Sequence, residues 1–182
     1  MQSVKLSKVI EKMELTNLTP DIDVDGIEVT QTDINRPALQ LTGFFEHFPS
    51  DRVQVIGFVE YTYLQEMEIE KKRSVFKQFL SSNIPCLIYC RNLTPDDELI
   101  AMAKEQGVPV LVTTKTTSAF MAEIIRWLNV ELAPCISIHG VLVDVYGVGV
   151  LIMGESGIGK SEAALELVKR GHMLVADDLV DI

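Results

Sequence analysis

The sequence predicts an α/β protein. It reads as an N-terminal three-layer α/β domain with a mostly parallel sheet, followed by the start of a second domain: a β-hairpin, a glycine-rich phosphate loop, a helix and a strand. Three observations predict it. Between Val4 and Asn129, short apolar runs alternate with amphipathic stretches of helical spacing, the order that builds strand–helix–strand crossovers. From Ile136 the pattern changes to extended alternation, with Val141, Val143 and Val145 in step. Gly154-Glu155-Ser156-Gly157-Ile158-Gly159-Lys160-Ser161 then fits G-x-x-x-x-G-K-S/T between an apolar strand and a helix, the context that the phosphate-loop (P-loop) motif requires.

In chain order, Val4 to Met13 predicts a helix with Val9, Ile10 and Met13 facing inward, and Ile27 to Val29 a short strand. Leu39 to Phe48 carries Leu41, Phe44, Phe45 and Phe48 at helical spacing and is stopped by Pro49. Val53 to Phe58 reads as a strand, and Lys71 to Leu80 as a helix burying Val75, Phe76, Phe79 and Leu80. Pro85 to Cys90 is a buried strand. Thr94 is then a candidate N-cap with Pro95 in the first turn, and Asp96, Asp97 and Glu98 complement the helix dipole. Gly107 stops that helix, Val108 to Val112 forms the next strand, and Thr116 to Leu128 a helix carrying Phe120, Ile124, Trp127 and Leu128. The aromatic and methionine positions fit a core rather than a ligand box.

The periodicity lapses near Asn129. The expected organisation is therefore a first domain over 1–129, a linker over 130–135 and a second domain over 136–182. In that second segment His139-Gly140 interrupts an extended run, Gly147-Val148-Gly149 supplies a hairpin turn, and Val148 to Met153 leads into the glycine-rich loop. Ser161 to Arg170 reads as a helix with Ala164, Leu165 and Val168 on one face and Gly171 as its stop. Met173 to Ala176 reads as a short buried strand ending in Asp177-Asp178.

Composition narrows the function classes. The 182 residues are 47% hydrophobic and 23% charged, ordinary for a globular chain. A formal charge of −10 disfavours general nucleic-acid or anionic-membrane binding. No apolar run approaches the roughly 18 residues of a membrane span, and Met1 to Lys5 lacks the apolar stretch of a secretory signal. The three cysteines, Cys86, Cys90 and Cys135, match neither a disulfide framework nor a metal-ligand pattern. A reducing cytoplasm is the expected compartment.

Each residue type in the loop answers a requirement of polyphosphate binding. Glycines let successive backbone N–H groups curl into an anion nest. Lys160 reaches the β/γ-phosphates, and the Ser161 hydroxyl is placed to ligate Mg²⁺. Glu155, Ser156 and Ile158 occupy the variable positions, where backbone amides matter more than side chains. Asp177 and Asp178 stand 17 and 18 positions after Lys160. One acid of such a pair can hold Mg²⁺ while the other accepts a proton from an attacking hydroxyl, and spacing leaves open which is the base. His139, at a break in an extended run, is compatible with a structural hydrogen bond or with catalysis. His47 and His172 are weaker candidates.

The chain resembles the HPr kinase/phosphorylase family. GESGIGKSE followed by ALELVKRGHMLVADD is similar to that family's nucleotide site and following strand, and SIHGVLVDVYGVGVLIMGESG resembles its histidine-bearing hairpin. DINRPALQLTGFFEHFP, PSDRVQVIGFVEY and IPCLIYCRNLTPDDELIAMAKEQGVPVL resemble its first domain. The resemblance implies an enzyme that phosphorylates a serine of the phosphocarrier protein HPr from ATP or pyrophosphate. It also implies phosphorolytic removal of that group, in the control of carbon metabolism by catabolite repression. It assigns phosphate binding to Gly154, Glu155, Ser156, Gly157, Ile158, Gly159, Lys160 and Ser161, Mg²⁺ to Ser161, and charge stabilisation to Lys160. Asp178 is the implied base, Asp177 its neighbour in the acid pair, and His139 the active-site histidine. A homohexamer is implied as well, with further sheet, a second metal-binding acid and the HPr-gripping region beyond Ile182. A different P-loop kinase or NTPase acting on a small molecule, or a nucleotide-sensing module without transfer, is the alternative.

Overall fold

Apolar residues of the first 133 positions sort onto both faces of one sheet. The computed structural model describes residues 2–181; Met1 and Ile182, the outer ends of the two expected domains, lie outside the described residues. The chain divides into two units between Ala133 and Pro134.

The first unit opens with β1 (Val4–Lys5) and α1 (Leu6–Met13), so the expected helix begins two residues late. Then come β2 (Thr16–Asn17), β3 (Glu28–Val29), β4 (Ile34–Asn35), β5 (Val53–Ile56), α2 (Phe58–Glu66), α3 (Ile69–Leu80), β6 (Leu87–Tyr89), α4 (Asp97–Glu105), β7 (Val110–Val112) and α5 (Thr117–Glu131). The central sheet runs β2-β7-β6-β5-β4. Its β4, β5, β6 and β7 are parallel, and β2 pairs antiparallel at one edge. Val53, Val55, Cys86, Ile88 and Leu111 face Leu6, Val9 and Met13 of α1 and Phe120, Ile124 and Leu128 of α5. On the other face Ile56, Leu87, Tyr89, Val110 and Val112 meet Leu64, Phe76, Phe79, Leu99 and Ala103 of α2, α3 and α4. Helices on both faces of a mostly parallel sheet make the three-layer α/β architecture.

Three expectations in this unit are corrected. Leu39 to Phe48 holds only a single 3-10 turn, Gln40–Thr42, which Gly43 ends at φ +100. Phe45 and Phe48 still reach the core, with the Phe48 ring 5.5 Å from Phe79, while Phe44 is exposed. The strand expected to reach Phe58 stops at Ile56, and Gly57 starts α2. That helix has no apolar stripe to reveal it: Leu64 is buried, yet Phe58 and Val59 face solvent. Finally, α4 begins at Asp97 with Asp96 as N-cap, two residues past the expected Thr94 cap. The Thr116 cap of α5 does form, its hydroxyl accepting the Ala119 N–H at 3.4 Å.

The second unit contains β8 (Ser137–His139), β9 (Val141–Val145), β10 (Val148–Ile152), α6 (Lys160–Lys169), β11 (Met173–Ala176) and β12 (Leu179–Asp181). β9 and β10 form a hairpin closed by Tyr146–Gly147, both at positive φ, as a type I′ turn requires. β11 adds antiparallel to β9, and β12 pairs antiparallel with β8 in a separate ribbon. Val141, Val143 and Ala164 form the buried cluster, with Val145, Ile152 and Leu167 packed on it. The inward side of α6 is thus Ala164 and Leu167; the expected Leu165 and Val168 lie at 54% and 37% exposure. β11, expected to be buried, exposes Met173, Leu174 and Val175, because among the described residues it forms the sheet edge and pairs with β9 alone.

Candidate functional site

The glycine-rich loop sits where β10 gives way to α6. Residues 153–159 carry no regular structure, and α6 starts at Lys160 with Gly159 as N-cap. Gly157 and Gly159 stand at φ +80 and +98, left-handed values that a Cβ would strain. They bend the chain so that the first-turn amides of α6, which have no intrahelical acceptors, face the loop. Such a helix start favours anions through its free N–H groups and its dipole. Lys160 folds back over the loop, its Nζ donating to the Gly154 and Glu155 carbonyls, each at 2.8 Å.

Antiparallel pairing brings the acid turn to the same place. β12 pairs with β8 so that Leu179 opposes His139, Val180 opposes Ile138 and Asp181 opposes Ser137. The Ser137 hydroxyl donates to Asp181 Oδ1 at 2.6 Å, closing the far end of that ribbon. At the near end the Asp178 carbonyl accepts two bonds at 3.3 Å, one from the Gly140 N–H and one from His139 Nδ1. A carbonyl only accepts, so Nδ1 carries the proton in this arrangement.

Asp178 itself is at φ +67. A non-glycine residue there costs about 1–2 kcal/mol, although aspartate tolerates the region better than most. Asp177 holds the turn from inside: its Oδ1 accepts the Asp178 N–H at 3.0 Å, and its carbonyl accepts the Leu179 N–H at 2.9 Å.

His139, Gly154, Ser156, Lys160 and Asp178 line one cavity of about 460 Å³, within the range of small-molecule sites, roughly 300–1,000 Å³. The remaining loop positions, Glu155, Gly157, Ile158, Gly159 and Ser161, are not among its lining residues, nor is Asp177, whose Oδ1 is taken by the Asp178 amide. His47 is not among the lining residues, and His172 stacks edge-on against Tyr146 at 4.8 Å. Among the described residues no group of three or more His, Cys, Asp or Glu side chains converges as a metal cage. Mg²⁺ needs none where substrate phosphates and one or two protein oxygens complete its shell. A second cleft, of about 430 Å³ at the amino ends of the first unit's strands, is lined by Glu28, Asp51 and Asn83 among others and holds no expected site residue.

Sequence reasoning missed β12 and with it the register that sets Leu179 against His139. It also passed over a polar knot in the first unit, where the buried Glu60 carboxylate takes the Gly57 N–H at 3.0 Å and Arg36 at 2.8 Å. The one signal for that knot was Glu60 lying three residues after Gly57, a capping arrangement.

Comparison with known proteins adds three findings. Residues 4–128 match the family described as HPr Serine kinase N terminus, and residues 130–182 the HPr Serine kinase C-terminal domain. The HPr kinase/phosphorylase of Lachnoclostridium phytofermentans is 62% identical over all of this chain and 59% of its own length. That of Caldicellulosiruptor bescii is 48% identical over 97% of this chain and 57% of its own. The chain therefore spans about three-fifths of the length of the curated relatives it matches.

Proposed function

Because the chain belongs to the HPr serine kinase family, we propose that the complete protein transfers a phosphoryl group from ATP or pyrophosphate to a serine of HPr and catalyses the phosphorolytic reverse. The observation that carries the reading is one cavity shared by the loop lysine, the left-handed aspartate and the histidine bound to that aspartate's carbonyl.

In the forward direction the amides between Gly154 and Ser161 bind the donor's phosphates, and Lys160 leaves the loop carbonyls to offset charge on the transferred group. Asp178 removes the proton as the serine oxygen attacks phosphorus and the bond to the leaving group, ADP from ATP or phosphate from pyrophosphate, breaks. In reverse, inorganic phosphate attacks the phosphoserine phosphorus, the phosphorus–serine oxygen bond breaks, and the protonated Asp178 returns its proton to the serine oxygen. Pyrophosphate is the second product, so atoms and charge balance. One carboxylate serves both directions by microscopic reversibility. Asp177 and His139 keep the Asp178 turn in its left-handed shape through its amide and its carbonyl. Ser161 would hold Mg²⁺, which when bound neutralises phosphate charge.

Nucleotide and magnesium use, a cytoplasmic homohexamer, and independence from nucleic acid and membranes belong to the same proposal. The net charge of −10 supports the last, and no described helix is long and apolar enough to cross a membrane. The test is incubation of the complete protein with HPr, Mg²⁺ and labelled ATP. Labelled phosphoserine is expected, and added inorganic phosphate should then release pyrophosphate. Label that stays in ATP or appears only as free phosphate overturns the reading.

A further inference from the structure

We infer that Gly140 is a positioning residue: the missing side chain there sets the gap between the phosphate loop and the acid turn. The inference rests on the proposed transfer reaction. Gly140 is buried at the junction of β8 and β9, and its N–H donates to the Asp178 carbonyl at 3.3 Å. Its other side faces the end of β10. A Cβ on Gly140 would stand 2.9 Å from the Ile152 carbonyl oxygen and 3.0 Å from Leu151 Cδ1. The first of these atoms is backbone, and Ile152 is pinned opposite Val141 in the hairpin ladder, so it cannot swing aside as a side chain would. Two residues later the chain reaches Gly154 and the loop.

One residue therefore touches both halves of the site, the acid turn through its N–H and the strand delivering the loop through its bare Cα. The backbone at Gly140 lies outside the left-handed region, so the requirement for glycine is space. A methyl group wedges β10 away from the β8–β12 ribbon by a few tenths of an ångström, which alters the approach of acid to phosphorus. The loop's own amides and Lys160 move as a body and keep their grip on phosphate.

The prediction is a split between catalysis and binding. In the complete protein, Gly140→Ala lowers kcat for phosphoserine formation by about tenfold or more, as misplacement of reacting groups does. The Kd for ATP with Mg²⁺ stays within about threefold, because the phosphate contacts come from the loop amides. Gly149→Ala is the control: its Cβ would meet only the flexible Leu142 Cδ1 at 3.7 Å, and both constants stay at wild-type values. Unchanged kcat in Gly140→Ala, or kcat and nucleotide affinity falling in proportion, overturns the inference. Should Gly140→Ala fail to fold, Gly140→Ala/Leu151→Ala removes the side-chain contact and leaves the Ile152 carbonyl in place. The same kcat defect is then expected, whereas full recovery, or failure of that variant to fold, assigns Gly140 to packing alone. A wild-type protein that forms no phosphoserine sinks the functional reading instead, before any variant is compared.

Discussion

In the first unit Phe76, Phe79, Phe120 and Ile124 are at most 1% exposed, whereas Val148, Met173 and Val175 of the second are 64, 64 and 55% exposed. The two regions are held together differently. The first buries apolar side chains on both faces of a mostly parallel sheet, where fully burying each large one contributes roughly 1.5–3 kcal/mol. Among its described residues the second has one small buried cluster and is organised by backbone: positive-φ glycines, a left-handed aspartate and hydrogen bonds across a two-stranded ribbon. Sites of chemistry are commonly built this way, with strain and exposed polar groups near the reacting centre. On the proposed function, the contrast implies that stability and catalysis separate along the chain.

The largest effect is expected at the acid turn. In the complete protein, if Asp178 is the proposed base, Asp178→Asn should lower phosphoserine formation by about 10²–10⁴-fold, the usual range for a lost general base, while ATP affinity and melting temperature stay near wild type. Unchanged transfer would remove Asp178 from its role. Next in size is the first core. Phe79→Ala should cost about 3–5 kcal/mol of unfolding free energy in a urea titration, yet leave the nucleotide Kd unchanged below the new midpoint. A parallel loss of nucleotide binding would break the separation of the two regions.

A smaller effect sharpens the same contrast through pH. Burial pushes the Cys86 thiol from its ordinary value of 9.0 up to about 12. The folded first unit keeps a proton that the unfolded chain releases above 9.0, so this contribution is complete below that pH. It is lost as pH rises toward 12, by roughly 1 kcal/mol per pH unit. Cys86→Ala should flatten that slope in alkaline denaturant titrations. The smallest effect belongs to the second unit's open strand. Leu174→Ser, at a position 47% exposed, should change the stability of this 182-residue chain by less than about 0.5 kcal/mol. A cost several times larger would mean that β11 is covered in solution.

How much of this was legible in the sequence follows from how local each feature is. The strand–loop–helix order around the glycine-rich segment was readable because eight consecutive residues carry its pattern, and the helix from Thr117 because a capping threonine precedes a clear apolar stripe. The Leu39–Phe48 segment misled because Phe45 and Phe48 reach the core from a loop that happens to imitate helical spacing. Helix α2 escaped because its apolar residues lie all round it. In the second unit the acid pair was visible, but its register against His139 was not. That register depends on β12, three residues pairing across about forty of intervening chain, and pairing at such range leaves no periodic mark. Gly140 looked like a break in a strand, whereas its use lies in what a Cβ would strike.

The most direct measurement is a crystal structure of the complete protein with ATP and Mg²⁺. The terminal phosphates should lie against the amides of residues 154–161, with Lys160 turned from the Gly154 and Glu155 carbonyls onto phosphate oxygen and Asp178 facing the outer phosphorus. Nucleotide bound elsewhere, or Asp178 turned away from that phosphorus with its carbonyl no longer held by Gly140, would contradict the account.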